Sequence, residues 1–207
     1  MPMCPWSDGI HPVQQPGTVG GSNGDVVRVV LHITDAKIIE GRHQAPINAA
    51  WWDKSTKDAR ANGKLNFGVS AHFTVEADGF VYQHVDTDKV AKGTGWLTAG
   101  SVHIEHSGKS PDPMTEIQLH WAAYLIAWLA SVHPKIKLEA TGTSESDYGD
   151  PTRPGITCHR FIQLAYVKLF PSKAITPKPC PGAGIIRQIP ELVRLAKVYK
   201  QNANFNV

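Results

Sequence analysis

Cysteine is scarce in this sequence, with 3 in 207 residues, at positions 4, 158 and 180. An odd, small number makes no disulfide framework. One bridge, metal ligation and simple burial all stay open for these thiols. A membrane span is also missing: the longest apolar run, His120 to Val132, is too short to cross a bilayer and contains histidine. The opening MPMCPWSDGIHPVQQ has neither a basic n-region nor an apolar h-region, so no signal peptide is expected. Strong charge of one sign is absent, since Lys+Arg number 21 against Asp+Glu 18 for a formal net charge of +3. That bias suits an anionic polymer but does not argue for nucleic acid. There are no repeats, no low-complexity tract and no HExxH. What is present, 42% hydrophobic and 19% charged residues, is ordinary for a soluble globular protein and enough chain for one domain with a short appendage.

Residues 1–25, rich in Pro, Gly and Ser, read as an irregular N-terminal arm, and residues 26–207 as the working domain. The run Val26 to Ile33 is β-branched and nearly continuous, which predicts a buried central strand. Gln44 to Arg60 reads as helix. Ser70 to Glu76 and Phe80 to Val85 flank Ala77-Asp78-Gly79, which is turn chemistry and predicts a hairpin. Ser101 to His106 is a further short strand. Thr115 to Val132 carries apolar residues at helical spacing. Leu138 to Gly155 reads as a loop, Ile156 to Phe170 as mostly helix, Pro171 to Gly184 as irregular and Ile185 to Lys200 as a last helix. This order predicts an α/β or α+β sheet covered by helices.

Ten histidines are many for this length. His11, His43, His84, His120 and His133 need no special role, because a lone histidine is most often a hydrogen-bonded surface or core residue. His32 differs in closing a strongly apolar strand, where the backbone would hold a ligand rigidly. His159 follows the turn residues 154–157 and should open a helix. Cys180 lies in Lys178-Pro179-Cys180-Pro181-Gly182, where each proline pushes the preceding residue to extended geometry. Lys178 and Cys180 could then face one site together. Two histidines and a cysteine are a workable zinc set with a fourth position open. His103-Ile104-Glu105 has the H-x-E form of a zinc deaminase, but Pro179-Cys180 lacks the second cysteine of P-C-x-x-C. Cys158 reads as a small buried residue. Trp51 and Trp52, on a helix, are more often core than sugar platforms.

The segments VVLHIT, SAHFTVEADGFVYQHV, SVHIEHSG, CHRF and KPCPG occur in the order seen in type-2 N-acetylmuramoyl-L-alanine amidases. The chain resembles that family, which includes amidase-type phage lysozymes and peptidoglycan recognition proteins, over about Val26 to Ile189. The resemblance implies an α/β fold: a mixed central β-sheet flanked by helices, with a zinc-containing groove on one face. It implies Zn2+ held by His32, His159 and Cys180, an oxyanion-stabilising Lys178, and Glu105 as general base. Three departures stand out. Ala71 precedes His72 where many phage members carry tyrosine, which shifts weight to Glu105. His103 replaces a small residue, and Thr94-Gly95-Trp96 replaces a tryptophan–histidine pair. Trp96 and His103 are therefore candidate substrate contacts, with His106 an alternative to His103 in the cleft.

The activity so implied is hydrolysis of the lactyl–L-alanine amide of peptidoglycan, in the manner of a phage endolysin made in the host cytoplasm and acting on the wall after release. Peptidoglycan is the expected partner, with no nucleic acid, no membrane and a monomeric state. The alternatives are a peptidoglycan-binding module without catalysis, a wall-recycling amidase and a zinc peptidase on the same fold.

Overall fold

A computed structural model describes residues 4–10, 12–14, 18–63, 68–173, 175–203 and 205. Its elements run β1 (Gly9–Ile10), β2 (Val19–Ser22), β3 (Arg28–Ile33), α1 (Ala45–Ala61), β4 (Phe73–Val75), β5 (Val81–Gln83), β6 (Lys89–Ala91), β7 (Ser101–His106), α2 (Glu116–Val132), β8 (Gly155–Cys158), α3 (His159–Leu169) and α4 (Ala183–Asn202). Six strands form one mixed sheet in the order β1-β5-β4-β7-β3-β8, and β2 pairs with β6 in a second, two-stranded sheet. β4 and β5 are antiparallel, as the Asp78-Gly79 turn predicts, whereas β7, β3 and β8 run parallel. A mixed sheet between helices is the architecture the sequence implied.

The register explains the chemistry of the sheet. His32 lies opposite Glu105 and Val30 opposite His103 across β3 and β7, while Thr74 lies opposite Glu105 across β4 and β7. Alternate residues share a face of a sheet. His72, Thr74, His103, Glu105, Val30, His32 and Thr157 therefore fall on one face. The residues between them, Val29, Leu31, Phe73, Val75, Val102, Ile104, Ile156 and Cys158, join one buried apolar cluster with α2 and α4. One face is core and the other is a bed of histidine, threonine and carboxylate.

The covering helices follow from local sequence. Thr115 caps α2: its hydroxyl accepts from the Gln118 N–H at 3.2 Å and donates to the Ala77 carbonyl at 2.6 Å, and the Gln118 side chain returns to the Thr115 N–H. This is a capping box that also ties the helix to the β4–β5 turn. At the start of α1 the Ala45 N–H donates to the Glu76 carboxylate at 2.7 Å, and Pro46 sits in the first turn. Of the tryptophan pair, Trp52 is buried with its edge on His84 and Trp51 faces solvent.

Two expectations need correction. The arm over residues 1–25 is not wholly irregular: Gly9–Ile10 pairs parallel with β5, and Val19–Ser22 pairs with β6. The Asp8 N–H donates to the Val81 carbonyl and the Val81 N–H to the Asp8 carboxylate, which is the physical reason this segment docks. The expected helix over Ile156 to Phe170 begins as strand, because Gly155–Cys158 extends beside β3 before α3 starts at His159. At the outer edge of β8 the segment 139–141 hydrogen-bonds Ile156 from both its N–H and its carbonyl. Among the described residues no helix is long and apolar enough to cross a membrane.

Candidate metal centre

β3 ends at Ile33 and delivers His32; β8 ends at Cys158 and the first residue of α3 is His159. Since these strands are adjacent and parallel, their last polar side chains emerge side by side. Cys180 arrives from the loop before α4. One nitrogen from each histidine and the Cys180 sulfur all lie within 4.8 Å of one another. His32 Nδ1 is 3.8 Å from Cys180 Sγ. A tetrahedral zinc with ordinary bond lengths sets such a pair about 3.6 Å apart. The Ile33 N–H donates to the same sulfur at 3.4 Å.

The protonation states fit a cation. Burial holds His32 well below its ordinary value, with His159 and His103 acting in the same direction. Burial brings His159 to about 4, helped by Lys178. Both rings are neutral at pH 7 and keep a lone pair for a metal. Burial pushes the Cys180 thiol well above its ordinary value, and Glu105 adds to this against the Ile33 N–H and Lys178. A thiol in such a place gives up its proton to a divalent cation. Two imidazoles and a thiolate match zinc better than calcium or magnesium.

Around this set stand a carboxyl and an ammonium. Glu105 has one buried oxygen, Oε2, without a hydrogen-bond partner. Its burial raises the carboxyl to about 8, with Lys178 pulling the other way. Lys178 is an exposed residue, yet near enough for its charge to act on His32, His159, Glu105 and Cys180. The loop that carries it is pinned by the first turns of α3. The Gln163 amide nitrogen lies 2.9 Å from His159 Nε2, and its carbonyl accepts from the Lys178 N–H at 2.5 Å. Arg160 donates to the Pro177 carbonyl at 2.6 Å and to Glu145 at 3.0 Å, and its backbone N–H reaches the Cys180 carbonyl at 2.8 Å. Sequence reading missed Gln163 and Arg160. Gln163 sits one helical turn after His159, and that spacing was the available signal.

The remaining candidates divide. Trp96 is half-buried against Tyr166 and Phe170, with ring centroids 5.5 and 6.0 Å away. With Ile162, Gln163, Ile175 and Lys178 it lines a groove of about 570 Å³ beside the candidate metal ligands. His103 is fully buried, with its Nδ1 3.1 Å from His32 Nε2, so its ring faces His32 and is not among the residues that line the Trp96 groove. His106 points from β7 to the opposite face, and its Nδ1 donates to the His32 carbonyl at 2.9 Å. His43, His84, His120 and His133 each have side-chain hydrogen bonds, as expected of histidines without special roles; His11 lies outside the described residues. Cys4, Cys158 and Cys180 are all free thiols, the first two buried.

A family model described as N-acetylmuramoyl-L-alanine amidase matches residues 22–183, a span that holds the whole site. The chain belongs to this amidase family. Solved structures share the amidase fold at low identity. The endolysine N-acetylmuramoyl-L-alanine amidase LysCS from Clostridium intestinale URNW is 14% identical with a TM-score of 0.55, covering 91% of this chain and 97% of its own. A selenomethionine AmpD derivative is 19% identical with a TM-score of 0.58, covering 90% and 96%. The Drosophila peptidoglycan recognition protein SA is 16% identical with a TM-score of 0.56, covering 88% and 90%. No curated protein sequence matches the chain.

Proposed function

We propose that this chain is a zinc-dependent N-acetylmuramoyl-L-alanine amidase that hydrolyses the lactyl–L-alanine amide of peptidoglycan, and that it serves as a phage endolysin. The observation that carries the reading is the convergence of His32, His159 and Cys180, with Glu105, whose buried Oε2 has no hydrogen-bond partner, and the Lys178 charge acting on the same group. These three residues would hold the ion, which when bound supplies Lewis acidity and a water acidic enough to lose its proton near pH 7. Glu105 takes the proton of the attacking water and returns one to the leaving L-alanine amine. Its raised affinity for protons suits the second half of that task, and a dication alongside draws it back towards the charged form needed for the first. Lys178 faces the oxyanion formed at the lactyl carbonyl; one such donor is worth about 3 kcal/mol. Trp96 and Tyr166 offer ring faces in the neighbouring groove on which a sugar can lie. The working unit is residues 26–207, and the endolysin role is supported by the fold shared with LysCS.

The likeness to a recognition protein favours a second reading, a module that binds peptidoglycan without cutting it. Mass spectrometry of peptidoglycan digested by the zinc-loaded protein separates the readings. The expected products are stem peptides with a new L-alanine amino terminus and glycan with free lactyl carboxyls, both lost in chelator. Peptides cut elsewhere would mean a peptidase. Binding to the polymer with no released peptide would mean the recognition module.

A further inference from the structure

The histidine at position 103 is buried beneath the candidate ligands, and its place in the sheet gives it work there. His32 presents Nδ1 to the Cys180 sulfur at 3.8 Å and Nε2 to His103 Nδ1 at 3.1 Å. An imidazole that gives its Nδ1 lone pair to a metal must carry its proton on Nε2. That proton then needs an acceptor, since a buried donor left unmade costs the full desolvation of the group. His103 Nδ1 stands at hydrogen-bond distance in the required place; its own proton then falls on Nε2, a buried atom without a hydrogen-bond partner among the described residues, so the unmet donor is moved from the ligand to His103.

The ring of His103 cannot easily turn away. It is fully buried. It lies parallel to His72, with an interplanar angle of 12° and centroids 5.8 Å apart. Its Nδ1 edge rests on Gly93, where a Cβ would come within 2.5 Å of that nitrogen. The backbone on either side is fixed by the same neighbour: the His103 N–H donates to His72 Nδ1 at 2.9 Å, and the His72 N–H donates to the His103 carbonyl at 2.9 Å. His72 is locked in turn, because its Nε2 donates to the Lys89 carbonyl at 2.9 Å.

We infer that His103 is a positioning residue for the metal: it accepts the Nε2 proton of His32 and so holds His32 in the tautomer and orientation that offer Nδ1 to the cation. The inference rests on the zinc reading above and adds a residue to it. An outer partner of this kind commonly changes metal affinity 10- to 100-fold.

The test begins with the wild type loaded with zinc and labelled with 15N-histidine. Long-range 1H–15N spectra should show His32 ligated through Nδ1 and protonated at Nε2. Ligation through Nε2 would overturn the inference, and this measurement needs no variant to fold. Chelator competition then compares two substitutions. His103→Leu removes the acceptor and should weaken zinc binding about 10- to 100-fold. His103→Asn places Oδ1 where Nδ1 was and should stay within about threefold of wild type. Equal affinities for all three proteins, or equal losses in both variants, would refute a hydrogen-bonding role. A wild type that binds no zinc sinks the metal reading and this inference together; one that binds zinc through His32 Nε2 and still releases L-alanine peptides sinks this inference alone.

Discussion

Glu105 shows how one residue can be costly to the fold and useful to the chemistry. A carboxyl with a buried oxygen and no hydrogen-bond partner is a liability in a packed sheet, and such groups cluster where function needs them. Glu105→Gln keeps the shape and loses the ability to take a proton. If Glu105 is the base, kcat on peptidoglycan falls by on the order of 10²–10⁴ while zinc content and polymer binding stay level. The metal-free variant should unfold at no lower temperature than the parent, since an amide replaces an acid that resists ionisation there. An unchanged kcat would move the base elsewhere, and the burial of His103 and the opposite facing of His106 leave neither as a ready substitute.

Among the elements, the first turns of α3 have the widest influence, because they supply the candidate ligand His159 and also hold the loop that brings Cys180 and Lys178. Arg160 is the staple, with hydrogen bonds from its side chain to the Pro177 carbonyl and Glu145. Arg160→Ala should lower stability by about 1–2 kcal/mol and loosen zinc about tenfold, read by urea titration and chelator competition. Full zinc affinity in this variant would show that Cys180 is held by Pro179 and Pro181 without help. The elements themselves were largely legible: Thr115 marked the start of α2, the Asp78-Gly79 turn marked the hairpin, and His32 at a strand end marked one corner of the candidate site. Two things were not. The strand β8 hides in an apolar run whose pairing depends on β3, far away in sequence. The pairing of His103 with His32 depends on register between strands 71 residues apart in the chain, which no local pattern carries.

At the scale of the molecule, the two-faced sheet ties stability to pH. Burial brings His72 to about 4 from an ordinary 6.5, opposed by its hydrogen bond to the Lys89 carbonyl and by Asp86, with His133 and His84 adding to the lowering. Both ring nitrogens are committed in the neutral form, one donating to Lys89 and one accepting from His103. The unfolded chain therefore binds a proton that the folded one refuses. The contribution is complete above pH 6.5 and is lost as pH falls towards 4, by up to about 3 kcal/mol for this residue. Urea midpoints measured across that range should fall with pH. His72→Asn, which keeps an acceptor but does not titrate, should flatten the slope; an equally steep fall in that variant would assign the acid sensitivity to other groups.

The same sheet also has ends. A strand with an open side is a template on which another chain can lay its own backbone, and long flat ones seed aggregates. Here one margin is the two residues Gly9–Ile10 and the other is overlaid by the segment 139–141. Neither leaves room for a foreign strand of useful length. The arm that reads as irregular in the sequence thus works as a selvedge, finishing one margin of a histidine-rich sheet whose polar face is itself buried.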